Sequence, residues 1–279
     1  MAKTTDIDRQ NFHERIKVYV AMTKSLLDLE KNLLVKTQGD SPDAPLRKLT
    51  LVNEMLNLTS YYIIISGISQ VMLKTKSEEA LSEARKSLYK AVIYLEEIVS
   101  GFIDAPFSDY EEKLAAIESF DENQRYGLIR KMGLAVDLLE NAYGDNSKWR
   151  WTFVELEGRF AVTAKNILNL RDAYANTDPE SPYYDSTAFH LRLVKKLIAQ
   201  SADRYRQKYE LSTNQTHDFK LGIAFLGALR RIHVVFGENE EAENIKKKLN
   251  IWTVKLDSDT KKQEDAKKKA GLINPQQNN

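Results

Sequence analysis

The sequence predicts an all-α protein, an antiparallel helical bundle of about eight or nine helices, built as one body or as two abutting helical halves. Three observations carry this. Apolar residues recur at steps of three, four and seven in one stretch after another. The 11 Gly and 6 Pro cluster at the breaks between those stretches. The one run rich in β-formers, Tyr61–Ile65, has no second convincing strand to pair with.

A first helix is expected from about Asp8 to Lys36, started by Thr5-Asp-Ile-Asp8, with Phe12, Ile16, Tyr19, Leu26, Leu29 and Leu33 as its apolar stripe. Residues 1–7 are expected to be flexible. Gly39–Pro45 is a loop by composition. The helix after it, to about Lys76, contains the densest stretch of the chain, Leu49–Leu73. That stretch is apolar or aromatic at 15 of 25 positions and on nearly every side, so a central, buried place is expected. Ser66, Gly67, Ser69 and Gln70 interrupt it, which argues against a membrane span and for close helix packing.

Ser77-Glu-Glu caps a third helix ending near Gly101. Ser108–Glu111 and Asp121–Gln124 both have the capping-box pattern. The first should start a short helix to Ser119 and the second a helix to Tyr143. Gly144–Ser147 is the clearest turn, and the division between the halves is expected there: 8–143 and 144–265. Trp149, Phe153, Leu156, Phe160, Ala164, Ile167 and Tyr174 form the stripe of the next helix. Helices follow from about Ser186 to Leu211 and from Thr216 to Phe236, the latter with Gly222 and Gly227 allowing close contacts. The last is expected over about Glu238–Asp265, with a narrow seam of Ala242, Ile245, Leu249, Trp252 and Leu256. Residues 266–279, poor in apolar side chains, are expected to be disordered.

Composition excludes several functions. There is no cysteine, hence no disulfide, thiolate nucleophile or Cys-based zinc site. The net charge of +1 favours no partner class. The polar start of the chain lacks the apolar core of a secretory signal, so a cytoplasmic place is expected. His13, His190, His217 and His233 have no glutamate three residues before them, so the Glu-x-x-His pairs of helical di-iron sites are missing. Gly222–Gly227 has the spacing of a phosphate loop but continues Ala-Leu inside an apolar helix. The local carboxylate pairs Glu96-Glu97 and Glu155-x-Glu157 read as solvated helix surface. No cofactor is expected.

Two features point outward. Arg192, Lys195, Lys196 and Arg206 fall opposite the apolar arc of their helix, inside a region with 9 basic and 4 acidic residues between Asp185 and Phe236. Such a stripe suits phosphate backbone or an acidic partner. Trp149-Arg-Trp151 places Trp151 at the margin of its stripe, with a composition common in binding hot spots. Trp252 and Leu249 of the last helix form a seam able to serve its own domain or a partner. The expected function is therefore a non-enzymatic helical adaptor or scaffold that binds other proteins. The alternative is a nucleic-acid-binding protein using the basic region 192–231.

Overall fold

The computed structural model describes residues 5–37, 41–144 and 149–273, and every regular element among them is helical. The α-helices are α1 (Asp6–Thr37), α2 (Ala44–Leu73), α3 (Glu78–Ile98), α4 (Glu111–Ala115), α5 (Glu122–Tyr143), α6 (Arg150–Ile167), α7 (Leu170–Ala175), α8 (Tyr184–Lys208), α9 (Thr216–Val235) and α10 (Asn239–Ile273). The all-α expectation holds.

Most boundaries follow from local chemistry. Thr5 and Asp8 cap α1 reciprocally: the Asp8 amide donates to Thr5 Oγ1 and the Thr5 amide to Asp8 Oδ2. Ser77 Oγ accepts from the Ala80 amide at the start of α3. Asp121 and Gln124 form the expected box at the start of α5. Ser108–Glu111 does not act as a box. Its first residues form a 3-10 turn, Phe107–Asp109, and Tyr110 precedes α4 without a side-chain cap. The stripe from Trp149 to Tyr174 is not one helix either. Asn169 leaves the helical conformation and its side-chain oxygen accepts from the Arg171 and Asp172 amides, which ends α6 and starts α7. The last helix outruns its expected end and continues to Ile273. Residues 1–4, 38–40, 145–148 and 274–279, on which parts of the expected Gly39–Pro45 loop, the Gly144–Ser147 turn and the flexible termini fall, lie outside the described residues.

The chain divides into two compact units, one up to Val194 and one from Lys195 onward, with the division inside α8. The first unit is centred on α2, which packs on α1, α3 and α5. Leu51, Val52, Met55, Leu56 and Leu58 are fully buried. A second cluster gathers around α6, where Phe153, Leu156 and Phe160 are buried. The unit from Lys195 joins the end of α8 to the hairpin of α9 and α10. Its core holds Ile198, Tyr205, Phe219, Phe225, Leu226 and Trp252.

The second half of α2 departs from the expected all-round burial. Asn53, Asn57, Ser60, Ile64, Gly67 and Val71 follow one another at three- and four-residue steps and make one line down the helix. Lys131 of α5 lies on this line at Asn53 and Asn57. Farther along it is bare: Ile64 is 38% exposed and Val71 69%, whereas neighbouring Ile65, turned toward α1, is 8% exposed. Ser66 and Ser69 take part in the turn into α3. Ser66 Oγ accepts from the Ser77 amide, and Ser69 Oγ donates to the Thr75 carbonyl. By length and composition α2 is also the one candidate membrane span among the described residues.

Candidate functional site

In the second unit, the residues singled out from sequence are largely engaged by their own neighbours. Trp252 is buried, its ring 5.6 Å from that of Phe219. The Arg206 guanidinium and the Lys248 ammonium flank the indole at 5.3 and 4.9 Å from its centroid. A partner reaches Trp252 only by displacing α9. Leu249 is half-buried one turn away. Arg206 also pairs with Glu210 at 3.1 Å, and Lys195 with Glu238. Lys208 of the same basic region pairs with the buried carboxylate of Asp218 at 2.9 Å. Arg192 and Lys196 remain exposed, with Arg192 over the Phe189 ring of the first unit's part of α8. The stripe legible in sequence is therefore broken up by carboxylates from positions 210 and 238.

Trp151 is half-buried and carries the Arg150 guanidinium over its ring at 4.9 Å. Trp149 stacks edge-on with Tyr143 and holds the Arg85 guanidinium at 4.3 Å. Glu96, read as solvated surface, instead bridges α3 to α6. Arg159 Nε donates to it at 2.8 Å, and this hydrogen bond raises the Arg159 pKa above its usual value. Arg159 thus prefers the distant Glu96 to Glu155 in its own helix.

Three surface features of the first unit were not singled out as sites in the sequence, although the 12 acidic against 4 basic residues between Ser77 and Glu122 do place its strongest acidic surface there. The first is a cleft of about 460 Å³ with an acidic wall of Glu111, Glu118, Asp121, Glu122 and Asp172. Arg125 forms part of its floor and donates to the carbonyls of Ile117, Phe120 and Ile167. Burial lowers the Arg125 pKa, an effect the surrounding carboxylates oppose. Behind the cleft, fully buried His190 has Nδ1 at 2.6 Å from Glu122 and Nε2 at 3.0 Å from the Ala164 carbonyl. Both ring nitrogens face acceptors, so the imidazole is fixed in orientation as a strut between α5, α6 and α8. Among the described residues no three His, Asp or Glu side chains gather as a metal site.

The second feature is a cavity of about 410 Å³ between α2 and α5. It is lined by Leu46, Leu49, Thr50, Asn53, Phe120, Gln124, Gly127, Leu128 and Lys131. Lys131 Nζ donates to Asn53 Oδ1 at 2.6 Å and Asn57 Oδ1 at 2.7 Å. Both amides turn their nitrogens to the Glu54 carboxylate. Burial lowers the Lys131 pKa, and Glu54 partly offsets this.

The third is apolar. On α1, Ile7, Asn11, Glu14, Val18, Met22, Ser25 and Leu29 form one exposed line at helical steps. Leu29, expected in the core stripe, belongs to this line; Thr23 and Glu30 take buried positions instead. α1 and α2 run antiparallel, with Tyr19 beside Tyr61 and Phe12 beside Ile65. Helical geometry then turns the α1 line and the Ile64–Val71 line to the same side of the pair, away from α3.

Fold and surface together define an all-helical protein with an exposed apolar helix pair, an acidic cleft and a mainly apolar cavity in its first unit. The chain belongs to the TP0443 family, whose model matches residues 8–260. No curated protein and no solved structure matches it.

Proposed function

We propose that this protein is a non-enzymatic helical scaffold that binds another protein along the α1–α2 face. The observation that supports this most is the alignment of exposed Val18, Met22 and Leu29 with exposed Ile64 and Val71 on one side of an antiparallel helix pair. Large apolar side chains gathered on one surface are the usual mark of an interaction site. A shallow groove between two helices accepts the apolar face of a third, amphipathic helix. Asn11, Glu14 and Ser60 interrupt the lines and supply polar contacts at their margins. The basic region 192–231 supports the nucleic-acid alternative less, because Lys195, Arg206 and Lys208 are neutralised by carboxylates of their own unit.

A photo-crosslinking residue at Val18 or Val71 tests this in the native cell. One protein crosslinked from both positions, and lost in Met22→Glu and Ile64→Asp variants that melt as wild type does, supports the reading. Crosslinks that persist in those variants, or none at either position, overturn it. A band at twice the mass of the chain identifies a second copy as the occupant.

A further inference from the structure

The α2–α5 cavity combines features that neither packing nor the proposed partner face accounts for. Its walls are mainly apolar, from Leu46, Leu49, Phe120 and Leu128. Lys131 is the one charged side chain in the lining. Its two assigned hydrogen bonds go to neutral amide oxygens, and no carboxylate among the described residues lies within ion-pair distance of Nζ. Glu54 is reached only through the Asn53 and Asn57 amides. An ammonium placed this way lacks the direct counter-ion that half-buried charges normally acquire. Gln124 adds a second donor. Its Oε1 accepts from the Asp121 amide, which leaves the side-chain NH2 as the group available at the rim. At Gly127 a Cβ would meet nothing within 4 Å among the described residues beyond its own helix backbone and chain neighbours, so the helix wall is open where the cavity lies.

We infer that this cavity binds a small amphipathic monocarboxylate, with its apolar body against Leu46, Leu49, Phe120 and Leu128 and its carboxylate on Lys131 Nζ. The volume of about 410 Å³ falls within the roughly 300–1,000 Å³ of ordinary small-molecule sites. A carboxylate has two oxygens, and the wall offers two kinds of donor, the ammonium and the Gln124 amide. The ligand brings the missing counter-ion, so binding relieves an existing cost as well as burying apolar surface. Because burial disfavours the charged amine in the empty cavity, a bound carboxylate raises the Lys131 pKa. The site lies on the α5-covered half of α2 and is independent of the partner face.

The test uses the full chain with 4-phenylbutanoate and its neutral match, 4-phenylbutanamide, in calorimetric titrations at neutral pH. The carboxylate should bind roughly ten- to hundredfold more tightly than the amide, the range of one charge-assisted hydrogen bond. Lys131→Met should erase that preference, and Gly127→Leu, which fills the cavity and keeps the amine in the chain, should abolish binding of both. Equal affinities in the wild-type protein, no binding of the carboxylate, or undiminished binding in either folded variant overturns the proposal. A second readout covers a variant that fails to fold. In the unmodified wild-type chain carrying ¹³Cε-labelled lysine, the Lys131 Cε resonance should move with the carboxylate and not with the amide. A resonance that moves with neither, or equally with both, overturns the proposal as well.

Discussion

The carboxylate of Glu30, buried on α1, lies 2.8 Å from Lys90 Nζ on α3 and accepts a hydrogen bond from the Tyr94 hydroxyl at 2.7 Å. One charged group ties the first helix to the third across the α2 hairpins. Burial, and next the hydrogen bond to Glu30, push the Tyr94 hydroxyl well above the usual phenol range, so it stays a neutral donor at any working pH. Lys90→Met removes the counter-ion and leaves Glu30 with Tyr94 alone. The expected loss is about 1–3 kcal/mol in denaturant unfolding. Adding Glu30→Leu should recover most of it, because no buried charge then remains. A double variant no more stable than Lys90→Met would contradict this account.

Tyr110 offers the opposite case. The residue is 1% exposed and its hydroxyl has no hydrogen-bond partner among the described residues. Burial pushes its pKa from the ordinary 10.0 up to about 12. The neutral phenol is therefore the form the fold holds. Its contribution is complete below the unfolded value and is lost as pH rises through the folded one, across about pH 10 to 12. Tyr110→Phe should be neutral or stabilising by about 1 kcal/mol. It should also lose less melting temperature than wild type between those pH values. A variant that melts lower at neutral pH points to an unseen partner for the hydroxyl.

Adjacent isoleucines on α2 should respond differently. Ile65→Asp places a charge in the Phe12–Ile65 cluster and is expected to cost about 3 kcal/mol or more. Ile64→Asp, at a position already 38% exposed, should shift stability by no more than about 1 kcal/mol. Thermal melts of the two variants decide it, and similar losses for both would mean that the bare line of α2 is covered.

The two glycines of α9 also separate. A Cβ on Gly222 would stand 3.0 Å from the Ala202 carbonyl oxygen and 3.3 Å from the Trp252 ring, so α8, α9 and α10 meet over it. Gly222→Ala should destabilise the unit from Lys195 by about 1–3 kcal/mol. At Gly227 a Cβ would meet, among the described residues and apart from its own helix backbone and chain neighbours, a flexible Arg231 nitrogen at 3.6 Å. Gly227→Ala should gain up to about 1 kcal/mol from helix propensity. Tryptophan fluorescence during urea unfolding follows both.

Helix type and most boundaries were legible because they rest on local signals: the Thr5, Ser77 and Asp121 caps and the three- and four-residue stripes. The break at Asn169 was hidden because the apolar spacing continues across it from Ile167 to Tyr174. Periodicity fixes which side of a helix is apolar but not whether a neighbour covers it, which is why Ile64 and Leu29 were placed in the core. The ion-pair partners of the basic stripe were hidden for a similar reason. Its neutralising carboxylate Glu238 is 43 residues from Lys195. The Lys131 clasp joins positions 78 and 74 residues apart, a pairing that no spacing rule announces.

The neighbour-on-neighbour packing of α1 on α2, α2 on α3 and α9 on α10 has a kinetic consequence. Hairpins of consecutive helices close short loops and assemble early, whereas the Lys131–Asn53 clasp must bring together positions 78 residues apart. The hairpins should therefore exist in the rate-limiting transition state, and the clasp should form after it. Substitutions between α2 and α3, such as Leu88→Ala, should slow refolding, while Asn57→Ala should leave refolding unchanged and hasten unfolding. The α5 clasp then acts as a latch: it sets how long the first unit stays folded and has little say in how quickly it folds.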